Sequence, residues 1–212
     1  MFMESGPWKQ ELESAAGRLE EARFGLAQLL DRHGDDSEEG ASALYRVERD
    51  VMFGAFAARR LAGMPSKVTH RARSVTAAVM QFPLIPGRRA PTPWDGGDFL
   101  QAYEVAASRP AEVHVNELCN LFVHSDLLRF AWTTSGCSWP TYVLLPEDDP
   151  RVRPVPTELA GMVVATDKSR NEHLTFVSLP ELTRVFRTLS NDKVAVAVVR
   201  RDRHGRMHVT AK

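Results

Sequence analysis

The stretch Val113–Trp132, "VHVNELCNLFVHSDLLRFAW", decides how the chain reads. Its first half places apolar residues at helical spacing, and its second half passes into a strand-like run. Asn116, Asn120 and His124 recur every four residues. At about 100° per residue they fall within roughly 80° of one another, with Glu117 at the edge of the arc. A polar stripe on so apolar a helix is either solvated in a cleft or paired inside the protein, because an unpaired buried amide costs about 1–3 kcal/mol.

On the N-terminal side the pattern is helical. From Trp8 to His33 the residues Leu12, Ala15, Leu19, Ala22, Leu26 and Leu29 fall three or four apart and mark one helix face. Gly34 supplies a stop, and Asp35, Asp36 and Ser37 offer caps for a second helix. That helix runs from about Ser37 to Ala62 on Leu44, Val47, Val51, Ala55, Ala58 and Ala62, widened by Tyr45, Met52 and Phe56. The short connection predicts an antiparallel helical hairpin. Lys67–Gln81 permits a third helix or an extended segment, with helix preferred. "FPLIPGRRAPTPWDGGD" is rich in proline and glycine and reads as an irregular loop, with "WDGGD" a turn. The helix of the opening stretch is expected to start near Pro110.

Beyond it the period changes. "RFAWTTS", "TYVLLPE", "GMVVATD", "HLTFVSL", "KVAVAVVRRD" and "RMHVTAK" are short runs of Val, Thr and aromatic residues, which predict strands. "SLPELTRVFRTLSND" interrupts them with a helical pattern, and Gly205 marks a hairpin tip. The expected fold is α+β: an N-terminal helical hairpin or bundle followed by an antiparallel β-meander with one inserted helix. Residues 1–130 form the helical region, and residues 131–212 form a β-rich region packed on it.

Composition limits the function classes. The 212 residues suit one compact unit, and 27 basic residues balance 27 acidic ones. Zero net charge removes the case for wholesale polyanion or membrane binding, although local patches remain. Such patches occur at Lys67, His70, Arg71 and Arg73, at Arg88 and Arg89, and on the last hairpin at Arg200, Arg201, Arg203 and Arg206. Each reads either as a phosphate-holding surface or as a charged rim that solubilises an exposed edge. Two cysteines, Cys119 and Cys137, make neither a disulfide framework nor a zinc set. No phosphate loop or dinucleotide fingerprint occurs, so neither cofactor nor metal is expected. The N-terminus lacks a signal-peptide pattern, and the expected location is cytoplasmic, away from membranes.

Candidate partners for the stripe lie in the second helix, where "YRVERDVMF" sets Arg49 and Asp50 among apolar residues. Either Arg49 or Asp50 satisfies Asn120 and His124 in a structural network, or the group forms a pocket. A helical hairpin followed by a helix bearing Asn120 and, four residues on, His124 resembles the HEPN class of helical domains over about residues 8–130. That resemblance implies ribonucleases in which an Arg holds the phosphate and a His, separated from it by four to six residues, acts in cleavage. Here the Arg position holds Cys119, which neither binds phosphate nor stabilises developing charge. The spacing recurs at Arg109/His114, Arg203/His208 and Arg201/His208, as often as chance provides, and only Arg109/His114 lies at a helix start.

The resemblance therefore implies a non-catalytic or regulatory binding component of a bacterial toxin–antitoxin or phage-defence type system. Its partner would be a protein, with RNA a further candidate, and it would form a homodimer or a heteromeric complex. The alternatives are a metal-independent ribonuclease using His124 with Asn120 and a borrowed Arg49, and a structural assembly subunit. Asp50, Asn116, Arg109, His114, Arg200, Arg201 and Arg203 complete the candidate binding residues.

Overall fold

The computed structural model describes residues 4–95, 99–152 and 155–211. Two long helices, α1 (Gly6–His33) and α2 (Glu38–Ala62), form the expected hairpin. Gly34, at φ 79°, ends α1, and Ser37 Oγ accepts the Gly40 N–H to cap α2. The predicted inner faces are largely those buried: Leu12, Ala15, Leu19 and Leu26 in α1, and Val47, Val51, Ala55, Ala58 and Ala62 in α2. Tyr45 and Phe56 are exposed, so they do not extend that face.

The segment expected to continue as helix does so for one turn only. Thr69 caps α3 (His70–Arg73), and the chain then extends into β1 (Thr76–Pro83). The β-branched residues Val75, Thr76 and Val79 suit that strand. Pro110 does not open a helix. It lies in β2 (Arg109–His114), an edge strand paired only with β1, where a missing N–H breaks no ladder. The helix of the opening stretch is the shorter α4 (Val115–Val123).

β3 (Ser125–Thr133) follows directly, and then α5 (Trp139–Tyr142); "TYVLLPE", expected as a strand, has only Thr141 and Tyr142 in that helix and continues as turn. Trp139 is drawn inward to stack on Phe176 at 4.9 Å and to meet Phe82 edge-on at 5.7 Å. β4 (Glu158–Thr166), β5 (His173–Ser178) and α6 (Leu179–Ser190) come next, and β6 (Ala197–Arg201) and β7 (Met207–Ala211) close the chain. The residues Gly96–Asp98 of "WDGGD", and Lys212 of the last run, lie outside the described residues.

The main sheet is antiparallel throughout, in the order β2-β1-β5-β4-β3, while β6 and β7 make a separate two-stranded sheet. The fold is α+β, as the pattern implies. Strands lie on both sides of residue 130, so β1, β2 and most of β3 belong to the stretch read as helical, and helices and sheet share one core. Helices α1, α2, α4 and α6 cover one face, over Ala77, Val79, Met162, Val164 and Val177. The other face carries Phe82, Val163, Ala165, Leu174 and Phe176 beneath Phe99, Tyr103 and Trp139.

β4 is therefore buried on both sides, which is why "LAGMVVA" is a continuous apolar run and does not alternate. A register shift between Ala131 and Trp132 sits opposite Gly161, where a Cβ would come within 2.2 Å of the Val177 carbonyl oxygen. Two buried carboxylates lock α1 in place. Asp50 accepts from Arg18 Nε at 2.7 Å and Nη2 at 3.0 Å, and Glu158 accepts from Arg23 Nε at 2.6 Å. Among the described residues no helix is long and apolar enough to cross a membrane.

Candidate functional site

α4 starts where His114 acts as its cap. The ring Nδ1 accepts the Asn116 N–H at 3.2 Å, and Glu117 Oε2 accepts the His114 N–H at 3.3 Å. His114 and Glu117 are thus committed to local structure. Arg109 lies at the far end of β2, five strand residues or roughly 16 Å from His114, so these two form no Arg–His pair. Arg203 and His208 also fail to form one: His208 Nε2 lies 3.0 Å from Asp202 Oδ2 across the β6–β7 turn.

Leu118, Cys119 and Phe122 bury the inner face of α4 in the same core as Ala55, Ala58 and Ala62 of α2. The small alanines leave room for α4 to approach closely. Cys119 sits against the backbone of Arg59, and burial pushes its thiol up to about 12. It is an inert apolar side chain.

The polar stripe faces outward. Asn116 and His124 are exposed and Asn120 is half-buried, so the stripe is no internal network. Arg49 and Asp50 do not meet it. Arg49 Nη2 donates to Asp50 Oδ1 at 3.1 Å, and Asp50 faces Arg18 of α1. The guanidinium that meets His124 is Arg59, nearly three turns further along α2, with Nη1 3.3 Å from His124 Nε2. A guanidinium only donates, so Nε2 is the acceptor in this contact.

A cleft of about 620 Å³ opens beside this pair, lined by Asn120, His124, Ser125, Asp126, Thr166, Asp167 and Lys168. Its floor comes from the β4–β5 turn, which Thr166 and Ser169 brace reciprocally: Ser169 Oγ accepts the Thr166 N–H at 2.9 Å, and Thr166 Oγ1 accepts the Ser169 N–H at 3.1 Å. Asp126 pairs with Arg170 at 3.0 Å, while the Oδ1 of Asn120 is covered and has no hydrogen-bond partner among the described residues. The cleft offers a cation at Lys168, carboxylates at Asp126 and Asp167 and the covered Asn120 Oδ1, and Arg59 reaches it through its contact with His124. No group of three or more His, Cys, Asp or Glu able to hold a metal occurs among the described residues.

Arg200, Arg201 and Arg203 stand on the last hairpin and take no part in this cleft. Sequence reasoning read "ATDKSRNEHL" as a charged turn between two strands but missed that it lines a cleft, and it missed Arg59. The alanine-rich stretch that precedes Arg59 was the available signal, since it marks where another helix packs closely. Comparison of the chain with family models, with curated proteins and with solved structures finds no match.

Proposed function

We propose that the protein is a non-catalytic, regulatory binding component of a bacterial toxin–antitoxin or phage-defence type system, holding a protein partner through the Arg59–His124 cleft. The system class rests on the likeness of the helical half to the HEPN pattern, which is an analogy of fold. The cleft rests on geometry, and the contact between Arg59 and the exposed His124 carries it.

The chemistry of the cleft suits a protein segment better than a polyanion. Lys168 in the lining and Arg59 beside His124 attract a carboxylate, while Asp167 and the paired Asp126 would oppose a phosphate chain. Asn120 supports the same reading. Its covered Oδ1 lacks a donor, and swinging the amide into the cleft lets it accept from a partner N–H. Exposed aromatic residues along α2, Tyr45, Phe53 and Phe56, support a homodimeric or heteromeric contact through that helix.

A ribonuclease is the second reading, and one observation favours it: an Arg borrowed from another helix does lie beside His124 in an open cleft, as Arg59 in place of Arg49. One experiment separates the two. The chain is incubated with an RNA oligonucleotide in chelator, and in parallel used as bait in extract from its native host, as wild type, Arg59→Glu and His124→Ala. The proposal expects intact RNA and one protein retained by the wild type and depleted about tenfold with either variant. RNA cleavage lost in both variants establishes the second reading. Retention indifferent to both substitutions sinks the proposal.

A further inference from the structure

The last hairpin stands apart from the body. β6 and β7 make their main contacts with each other, and every residue of β6 is exposed. Only the base is anchored, by the buried Ala211. A two-stranded ribbon of this kind is marginally stable in water by itself, so it acquires rigidity from whatever it docks on.

Its charge indicates what that is. The chain as a whole is neutral, yet Arg200, Arg201, Arg203 and Arg206 crowd the end of this ribbon beside a single acid, Asp202. Asp202 is occupied with the turn itself: its Oδ1 accepts the His204 and Arg206 N–H groups, and its Oδ2 faces His208. Among the described residues none of the four guanidiniums has a side-chain partner, although arginines elsewhere, such as Arg18, Arg23, Arg151, Arg184 and Arg187, are paired. The cross-strand register places Val198, Arg200, His208 and Thr210 on one face of the ribbon, and Val199, Arg201, Met207 and Val209 on the other.

We infer that the β6–β7 ribbon is a DNA-binding arm that enters the major groove of duplex DNA. An exposed cationic ribbon is complementary to a polyanion. The B-form major groove, about 12 Å wide, admits a two-stranded ribbon, whereas the A-form groove is too deep and narrow. Arginine supplies both phosphate contacts and bidentate contacts to guanine. The ribbon contributes no residue to the lining of the cleft beside His124, and this inference is independent of the partner assigned there.

The test is fluorescence anisotropy of the full chain with a labelled duplex of about 20 bp, two helical turns, titrated between roughly 50 and 200 mM salt. Four phosphate-directed arginines predict a log–log salt slope near −3 to −4, which is a loss of about 100-fold across that range. Replacing all four by alanine abolishes binding with the melting temperature unchanged, and each single Arg→Ala reduces the slope by about one. Arg32→Ala, at the end of α1, leaves the affinity unchanged. Absence of DNA binding at the lowest salt, or its persistence in the fourfold variant, overturns the inference. A preference for duplex RNA of the same sequence overturns the groove assignment, and equal affinity for polyglutamate reassigns the arm to an acidic protein.

Discussion

Gly54 of α2 lies against the ring of Phe186 in α6, and a Cβ built at Gly54 would come within 2.2 Å of Phe186 Cε2. Phe186 is fully buried, so its ring has little space into which to retreat. Gly54→Ala should therefore destabilise the protein by about 1–3 kcal/mol, although alanine is the better helix former. Adding Phe186→Leu should recover part of the loss. Denaturant midpoints of the single and double variants measure this coupling, and additive effects would show that the two helices do not meet in this way.

Asp50 is buried, and Arg18 is its main partner. Arg18→Met leaves the carboxylate with Arg49 alone, on a side chain that is largely solvated. The expected cost is about 2–3 kcal/mol, below that of a fully sealed pair because the Arg18 side is open to water. Urea unfolding is the readout, and a change under 0.5 kcal/mol would place the α1–α2 hold elsewhere.

Glu181 carries a pH-dependent part of the stability. Its carboxyl accepts from Arg184 and from the Ala78 N–H of β1, and Arg184 holds it below the ordinary carboxylate range. A depressed folded value means that the unfolded chain takes up the proton first. The contribution is complete above about pH 4.5 and is lost as pH falls through the folded value. Glu181→Gln should cost about 1–2 kcal/mol at neutral pH and make the acid decline shallower. Parallel pH profiles for the two proteins would refute this.

The stripe should separate function from stability. Because His124 is exposed, His124→Ala should change stability by less than about 0.5 kcal/mol. Asn120→Ala removes a covered acceptor that has no partner, so melting should stay level or rise while partner retention falls. A drop of several degrees in either variant would mark the stripe as structural support.

The helices that the sequence discloses are those with long, single-sided periodicity: the apolar faces of α1, α2 and α6 are read directly from spacing. β3, β4 and β5 are legible instead as short runs of β-branched and aromatic residues, of which β4 and β5 are buried on both sides. The short elements escaped because tertiary context overrides local preference. Pro110 is compatible with a helix start and with an edge strand, and only the pairing of β2 on β1 selects between them. Trp139 sets one helical turn across the start of a strand-like run by inserting between Phe82 and Phe176.

The stripe on α4 was visible, but its partner was not. Arg49 and Arg59 are both arginines on α2, and which of them reaches His124 depends on where along α2 the shorter helix lands. That position is set by packing of small side chains, to which residue spacing within α2 is blind.

The order β2-β1-β5-β4-β3 also has a consequence in time. β1 pairs with β2 on one side through a loop of moderate length, but on the other side it waits for β5, with Met80 opposite Phe176 and about 90 residues of chain between them. At a synthesis rate of roughly 5–20 residues per second, the β5-facing edge of β1 stays open for about 5–20 s on the ribosome. During that interval the β1–β2 pairing is available, while the pairing of β1 with β5 is not. Docking along that β1–β5 pair, closed by α6 against α1, is the long-range step on which the speed of folding depends.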